Sequence, residues 1–260
     1  MRKMREEIKE DKMLLAMAED RLNQCSQQYM VTHTGFLDLR QRSLVENRCR
    51  QLCRGGQDVR CSFFGGYEDA ERTVCLFLPD YASAEDSHPL AVIRAQAAEG
   101  GRALTHRDYL GSLIGLGIKR EMIGDILISQ NSADILVMDE IKEFLLLHYQ
   151  NAGRTSLGLK EVPLSELRVP EVRSVEQKDT VASLRLDNVI SSAFSLSRAK
   201  AAEAIRSGLV FVNSMQIEKT DMQVKEGDKL VLRGKGKAFL REVGNRTRKD
   251  RIFIITERFL

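Results

Sequence analysis

The chain has 260 residues, 43% of them hydrophobic and 30% charged, which is length enough for two or three small domains with a real core. No stretch approaches the roughly 18 unbroken apolar residues of a membrane helix, and the opening MRKMREEIKEDKM is too polar for a secretory signal, so a cytoplasmic protein without a membrane partner is expected. Residues 1–180 hold 24 Lys and Arg against 28 Asp and Glu, whereas residues 181–260 hold 16 against 9, so the basic excess lies in the last third, as in a nucleic-acid-facing module on a near-neutral body.

In chain order, the stripe Ile8, Met13, Leu14, Met17, Ala18 and Leu22 predicts a helix over 5–25. Asp38 is a good cap for a second helix through Leu44, Val45 and Cys49. Val59–Phe64 and Thr73–Leu78 read as strands, separated by Gly65-Gly66 and closed by Pro79. The five cysteines, Cys25, Cys49, Cys53, Cys61 and Cys75, are odd in number and follow no signal peptide, so they read as reduced. Cys49 and Cys53 are spaced C-x3-C, and no second Cys or His pair completes four ligands, so neither a metal nor a cofactor is expected.

After the linker-like DYASAEDSHP, Leu90–Ala95 reads as a strand and Thr105–Leu116 as a helix, with Thr105 as N-cap and Gly117 beyond its end. Ile126–Ser129 and Ile135–Met138 read as a strand pair, Asp139 as the cap of a helix through Phe144 and Leu147, and Leu157–Val162 as a last strand. The order β-α-β-β-α-β is that of a split βαβ (RRM-like) sandwich, a topology that hosts RNA-binding modules among many others. The aromatic strand signature of a typical RNA-recognition motif is missing. Pro163, Pro170 and the polar run after them read as a linker.

In the last third, Leu186–Ala193 reads as a short helix, and Ser197 caps a second one over Arg198–Arg206 that ends at Gly208. Ala201, Ala202 and Ile205 form its buried face, with Lys200, Glu203 and Arg206 opposite and Arg198 at the edge of the first turn. Strands follow at Leu209–Val212 and Lys229–Arg233, with turns at Asn213-Ser214 and Gly227-Asp228. Arg185-Leu186-Asp187, Ser197-Arg198, Ala201, Ile205, Gly208, Val210, Val212, Asn213, Val224, Gly227 and Asp228 together resemble the S4 RNA-binding domain. Ser214 departs from that pattern, which often has Gly after the Asn.

The resemblance implies an αL-motif fold laid on structured RNA, with Arg185, Arg198, Lys200, Arg206, Asn213 and Lys219 as contacts and Asp187 as a local cap or arginine partner. Arginine grips phosphate through two parallel bonds and lysine supplies a point charge. For Lys200 and Arg206, surface salt bridging is the alternative, for instance Lys200 with Glu203. Ala238–Val243 and Arg251–Glu257 alternate like an added hairpin whose connection carries Arg246, Arg248 and Lys249, with Lys235 and Lys237 just before it and Arg251 at its end.

Beyond that domain, FFGGYEDAERTVCLFLP and ALTHRDYLGSLIGLGIKREMIGDILI are similar to the body of the YlmH family, matching at Gly65, Gly66, Tyr67, Glu71, Arg72, His106, Arg107, Asp108, Gly111, Gly117, Arg120, Gly124 and Asp125. Thr247–Arg251 resembles that family's T-K-K-G-R, with Asp250 where Gly is usual. The resemblance implies an α+β chain with an N-terminal α/β region (1–80), an RRM-like RNA-binding domain (81–170), a linker (171–181) and an S4 domain with a basic C-terminal hairpin (182–260). His106, Arg107 and Arg120 are the candidates for a second RNA site in the middle domain.

It also implies association with ribosomal RNA and tRNA on the large ribosomal subunit, in rescue or quality control of stalled ribosomes. Enzyme motifs fail on inspection. His106-Arg107-Asp108 lacks the rest of a pseudouridine synthase motif and the Asn of a kinase loop, and no P-loop, G-x-G-x-x-G or tRNA-synthetase nucleotide motif occurs. A non-enzymatic RNA binder without a small-molecule substrate is therefore expected. The alternatives are a protein-interaction platform with an RNA tether and an S4-bearing RNA-modifying enzyme.

Overall fold

The structure, a computed structural model, describes residues 2–52, 59–98, 103–170 and 173–259. It divides at Pro170 into two compact units.

The first unit opens with α1 (Arg2–Gln28), β1 (Thr32–His33), α2 (Leu39–Leu52), β2 (Arg60–Phe64) and β3 (Val74–Leu78). The strands form a sheet in the order β1-β3-β2. Central β3, VCLFL, is buried at every position, as a strand covered on both faces must be. One face meets Ala18, Leu22 and Cys25, a helical i, i+4, i+7 row on α1, together with Val45 and Cys49 of α2.

The unit continues with β4 (Leu90–Ala97), α3 (His106–Gly115), β5 (Ile123–Ser129), β6 (Ser132–Met138), α4 (Lys142–His148), β7 (Asn151–Ala152) and β8 (Thr155–Val162). Its sheet runs β5-β6-β4-β8-β7, the order of the split βαβ fold with a short added strand. Along β4 the side chains alternate. Ala91, Ile93 and Ala95 face Tyr109 and Leu113 of α3 and Leu145 of α4. Leu90 and Val92 face Phe36, Val74, Leu76 and Leu78 of the N-terminal region. One apolar core therefore runs across the seam expected near residue 80. Asp139 does not cap α4: residues 139–141 make a 3-10 turn, the helix starts two residues later than an Asp139 cap would place it, and the Asp139 carboxylate pairs with Lys142 at 2.9 Å.

The second unit comprises β9 (Ser174–Val181), α5 (Leu186–Ala193), α6 (Arg198–Arg206), β10 (Val210–Val212), β11 (Met215–Gln216), β12 (Lys229–Leu232), β13 (Gly236–Arg246) and β14 (Ile252–Phe259). The sheet order is β11-β10-β12-β13-β14-β9, with α5 and α6 closing a core of Leu186, Val189, Ile190, Ala201, Ile205, Leu230 and Leu240. Most of the expected 171–181 linker is in fact the edge strand β9, paired with β14 over eight registered residues from Ser174↔Phe259 to Val181↔Ile252. Only Val181 of β9 is buried, so the strand carries no apolar alternation, and its ladder is made by backbone groups that composition does not reveal. The expected C-terminal hairpin is present as β13–β14, two residues longer on each strand at its open end and three residues longer on β13 toward the turn.

Candidate nucleic-acid interface

The geometry of the second unit begins with Asp187, in the first turn of α5 and 4% exposed. A buried carboxylate needs partners, and two arginines supply them. Arg185 donates through Nε and Nη2 at 3.1 Å each, and Arg198 donates to Oδ2 at 3.3 Å. Burial alone would raise the Asp187 pKa, but hydrogen bonds and charge from Arg185 and Arg198 outweigh it and hold it below the ordinary value. Asp187 is thus an arginine partner. It fixes two guanidiniums from different helices side by side while 59% of the Arg198 side chain stays open to solvent.

Helix α6 is set by its ends. The Ser197 hydroxyl accepts from the Lys200 N–H at 3.3 Å, and Gly208 takes φ +66° where a Cβ would fall 2.2 Å from the Gln216 amide. With Ala201 and Ile205 buried, Arg198, Lys200 and Arg206 are left exposed. No ion partner is recorded for Lys200 or Arg206 among the described residues, so the anticipated bridge from Lys200 to Glu203 is not formed.

Beside this face lies a cleft of about 390 Å³ lined by Gln177, Asp179, Ser192, Ser195, Arg198 and Arg251 among others. Arg251 reaches back across the β14–β9 ladder to donate to the Thr180 hydroxyl at 2.9 Å and to the Thr180 carbonyl, and Ser192 donates to Asp179 at 2.6 Å. The structure therefore brings Arg185, Arg198 and Arg251 into one neighbourhood. The cleft's β9 wall was hidden from the sequence because residues 174–181 read as linker.

The basic turn at the far end of the hairpin is partly neutralised. Arg246 ends β13 and pairs with Asp250 at 2.6 Å, whereas Arg248 and Lys249 stand exposed at the tip with no ion partner among the described residues. Lys237 lies 5.1 Å over the Phe259 ring. Lys219 and Lys235 are exposed in loops. Asn213 is committed elsewhere: its amide donates to Asp228 at 2.9 Å and accepts from the Lys229 N–H at 2.9 Å, which locks the β10–β11 turn and leaves little of it for RNA. Asn213 and Ser214 have φ of 50° and 69°, and Asp250 has φ 57°. Both departures from the glycines of the resembled patterns thus fall in the left-handed region that favours glycine.

In the first unit the three residues expected for a second RNA site differ in their surroundings. His106 and Arg107 are exposed in the first turn of α3, where Asp108 is consumed by a capping box with Thr105. Arg120 is half-buried and donates to the Ile123 carbonyl at 2.6 Å, so it serves the chain itself. Arg72 beside it donates to the carbonyls of Ile123, Phe36 and Arg120, and burial followed by the Arg120 charge lowers its pKa to about 10. Asp125 accepts from the Tyr67 hydroxyl at 2.8 Å and from the Glu71 and Arg72 N–H groups. Gly124 is obligatory because a Cβ would lie 2.6 Å from the Phe36 ring. These shared positions weld the Gly65–Arg72 loop to the middle sheet.

On the sheet face covered by the N-terminal region, Arg94 and Asp134 sit opposite each other on β4 and β6. They form two 2.7 Å bonds, almost wholly buried, and Arg94 also donates to the Glu166 carbonyl.

Comparison with known proteins agrees with this geometry. A family model described as "Putative RNA-binding domain in YlmH" matches residues 84–166, and the S4 domain model matches residues 184–230. Ribosome-associated protein quality control protein P2 of Bacillus subtilis (strain 168) is 34% identical over 233 residues, 89% of each chain. The solved structure of cell division protein ylmH from Streptococcus pneumoniae superposes with a TM-score of 0.50 at 24% identity, covering 62% of this chain and 95% of that one, a likeness of fold. The chain belongs to the YlmH family.

Proposed function

We propose that this member of the YlmH family is a non-enzymatic, cytoplasmic RNA-binding protein of the ribosome, and that the second unit is its principal contact with structured RNA. The observation that carries the reading is the pair Arg185 and Arg198 held on buried Asp187 beside a cleft that Arg251 also lines, in the part of the chain with the net positive charge. Folded RNA presents phosphates and 2′-hydroxyls more readily than base edges. Two pre-positioned guanidiniums with exposed lysines around them suit that surface, because their ordering cost is met before RNA arrives.

The curated relative is named for ribosome-associated quality control, which supports a ribosomal RNA partner, with tRNA, on the large subunit and a role in the clearance of stalled ribosomes. Co-sedimentation of the full chain with separated ribosomal subunits across a salt series tests this. Binding to the large subunit that weakens steeply with salt is the expected result, and absence from that fraction overturns the ribosomal reading.

A second reading, a protein-interaction platform tethered by the RNA unit, draws on the exposed apolar side chains Ile114 and Leu116 at the end of α3 and Phe144 and Leu147 on α4. A chain cut after Pro170 separates the two readings. If that piece alone binds RNA as tightly as the whole protein, the platform reading fails.

A further inference from the structure

The three-stranded sheet of the first unit holds a side-chain cluster that the RNA-binding role does not use. In the β2–β3 ladder Cys61 pairs with Phe77 and Phe63 with Cys75, so Cys61 and Cys75 are diagonal neighbours on one sheet face. Helix α2 packs on that face through Val45 and Cys49. The result is three sulfurs from three elements, Cys49, Cys61 and Cys75, all within 4.8 Å of one another. Cys49 and Cys75 are buried, while Cys61 is half-buried and gives an ion a route in from solvent.

We propose that Cys49, Cys61 and Cys75 form a binding site for a soft, thiolate-preferring metal ion, zinc first among them, which ties α2 to the β2–β3 hairpin. Zinc–sulfur bonds of about 2.3 Å in a tetrahedron place the sulfurs about 3.8 Å apart, inside the observed spread, so little movement is needed. An all-sulfur donor set selects zinc or copper(I) over magnesium or calcium. Each thiol gives its proton to solvent as its sulfur–metal bond forms. One zinc ion therefore displaces three protons and leaves a net charge of −1 on the three thiolates and the ion, with a fourth donor from solvent.

The compensating cation is in place. Arg42 lies two turns before Cys49 on α2, its guanidinium sits 4.9 Å over the ring of Phe63, the ladder partner of Cys75, and its buried Nε has no hydrogen-bond partner. Cys25 is separate: its buried thiol donates to the Phe77 carbonyl at 3.3 Å. Pair-counting in the sequence missed the site because the donors come singly from a helix and two strands. Cys53 lies outside the described residues.

The test uses the full chain purified under reducing conditions. Metal content is measured first. The metal-free protein is then titrated with cobalt(II), followed by thiolate-to-cobalt charge-transfer absorption and displacement by zinc. The expected result is about one ion per chain, a charge-transfer band of three-thiolate strength, more than about tenfold weaker binding in Cys61→Ser, and unchanged binding in Cys25→Ser. Because Cys49 and Cys75 are core residues whose variants could misfold, the wild-type titration and the half-buried Cys61→Ser decide the matter. A wild type that gives no charge-transfer band, a Cys61→Ser that binds as the wild type does, or an intact mass two hydrogens lighter with no metal, the sign of a disulfide, would each overturn the proposal.

Discussion

The middle sheet of the first unit and the sheet of the second unit are built alike, from antiparallel strands and two helices, yet they treat charge in opposite ways. In the first, the face left open by α3 and α4 is covered by the chain's own N-terminal region, and the cross-strand charge pair Arg94 with Asp134 is sealed inside. In the second, the charges are gathered at the surface, around Asp187 and along the basic turn. A sheet-and-helix module becomes an RNA surface through what its faces are left to do, and topology alone does not decide it.

The strongest way to break this contrast is Arg94→Ala. It leaves the Asp134 carboxylate buried with the Arg168 N–H as its remaining hydrogen bond, which should cost about 3–5 kcal/mol of unfolding free energy. Affinity for ribosomal RNA, measured at a temperature where the variant is folded, should not change. A fall in affinity larger than about threefold would mean that the covered face takes part in binding after all.

Next in size is reversal of Arg246, Arg248 and Lys249 to Glu. Each lost phosphate contact should flatten the dependence of log affinity on log salt by about 0.7–0.9, so two or three contacts lower the slope by about 2 and the affinity by about a hundredfold at low salt. The melting temperature of the free protein should change little, because the exposed Arg246–Asp250 pair that is lost is worth about 0–1 kcal/mol and the repulsion among the exposed carboxylates is about 1 kcal/mol per close pair in water before screening. Subunit binding that survives a lowered melting temperature would make the turn structural.

Arg198→Ala with Arg206→Ala should do less, flattening the slope by about 1.5 and leaving Arg185 to hold Asp187. Arg185 and Arg198 together set a pH signature. The folded pKa of Asp187 is depressed, so its stabilising contribution is complete above the ordinary carboxylate value of about 3.9 and fades only as pH falls through the lower folded value. Replacing both Arg185 and Arg198 with Leu leaves burial alone to act, which raises the folded pKa and reverses the sign. Relative to the wild type, whose Asp187 contribution is constant there, stability should then fall as pH rises from about 4 to 7. Thermal unfolding across that range checks it, and a flat variant would show that the two arginines do not hold the carboxylate charged.

How much of this could be read in the sequence follows the same divide. Helices α5 and α6 were legible because apolar period, the Ser197 cap and the Gly208 stop all agree. The middle sheet was legible as strand order, and the C-terminal hairpin as alternation. Strand β9 was not, since an edge strand exposed on both faces is written in polar residues such as Glu176, Gln177 and Lys178, and with it went the far wall of the cleft. Arg94 and Asp134 were hidden inside runs that are otherwise apolar, and only their register exposes the pair. The backbone bonds of Arg120 were not legible, because sequence cannot tell a guanidinium aimed at phosphate from one aimed at its own backbone carbonyls.

The smallest effect offers the finest comparison, between Ser214 and Asp250, two of the six non-glycine residues at positive φ among the described residues and the two that stand where the resembled patterns have glycine. An L-residue in the left-handed region costs about 1–2 kcal/mol, and glycine gives back about 0.5–1 of that through its freer unfolded state. Ser214→Gly should therefore stabilise the protein by about 0.5–1 kcal/mol and leave RNA binding alone, because Asn213 already holds that turn. Asp250→Gly relieves the same backbone cost but also removes the carboxylate paired with Arg246, an exposed pair worth about 0–1 kcal/mol. Its net effect on stability should be close to zero. RNA affinity should rise several-fold and the salt slope should steepen by up to about 0.9, since one more cation is free to meet phosphate. Denaturant unfolding and RNA titration of the two variants side by side decide the matter. If Asp250→Gly gains stability and no affinity, as Ser214→Gly is expected to, then Arg246 does not face RNA and the interface stops short of the base of the basic turn.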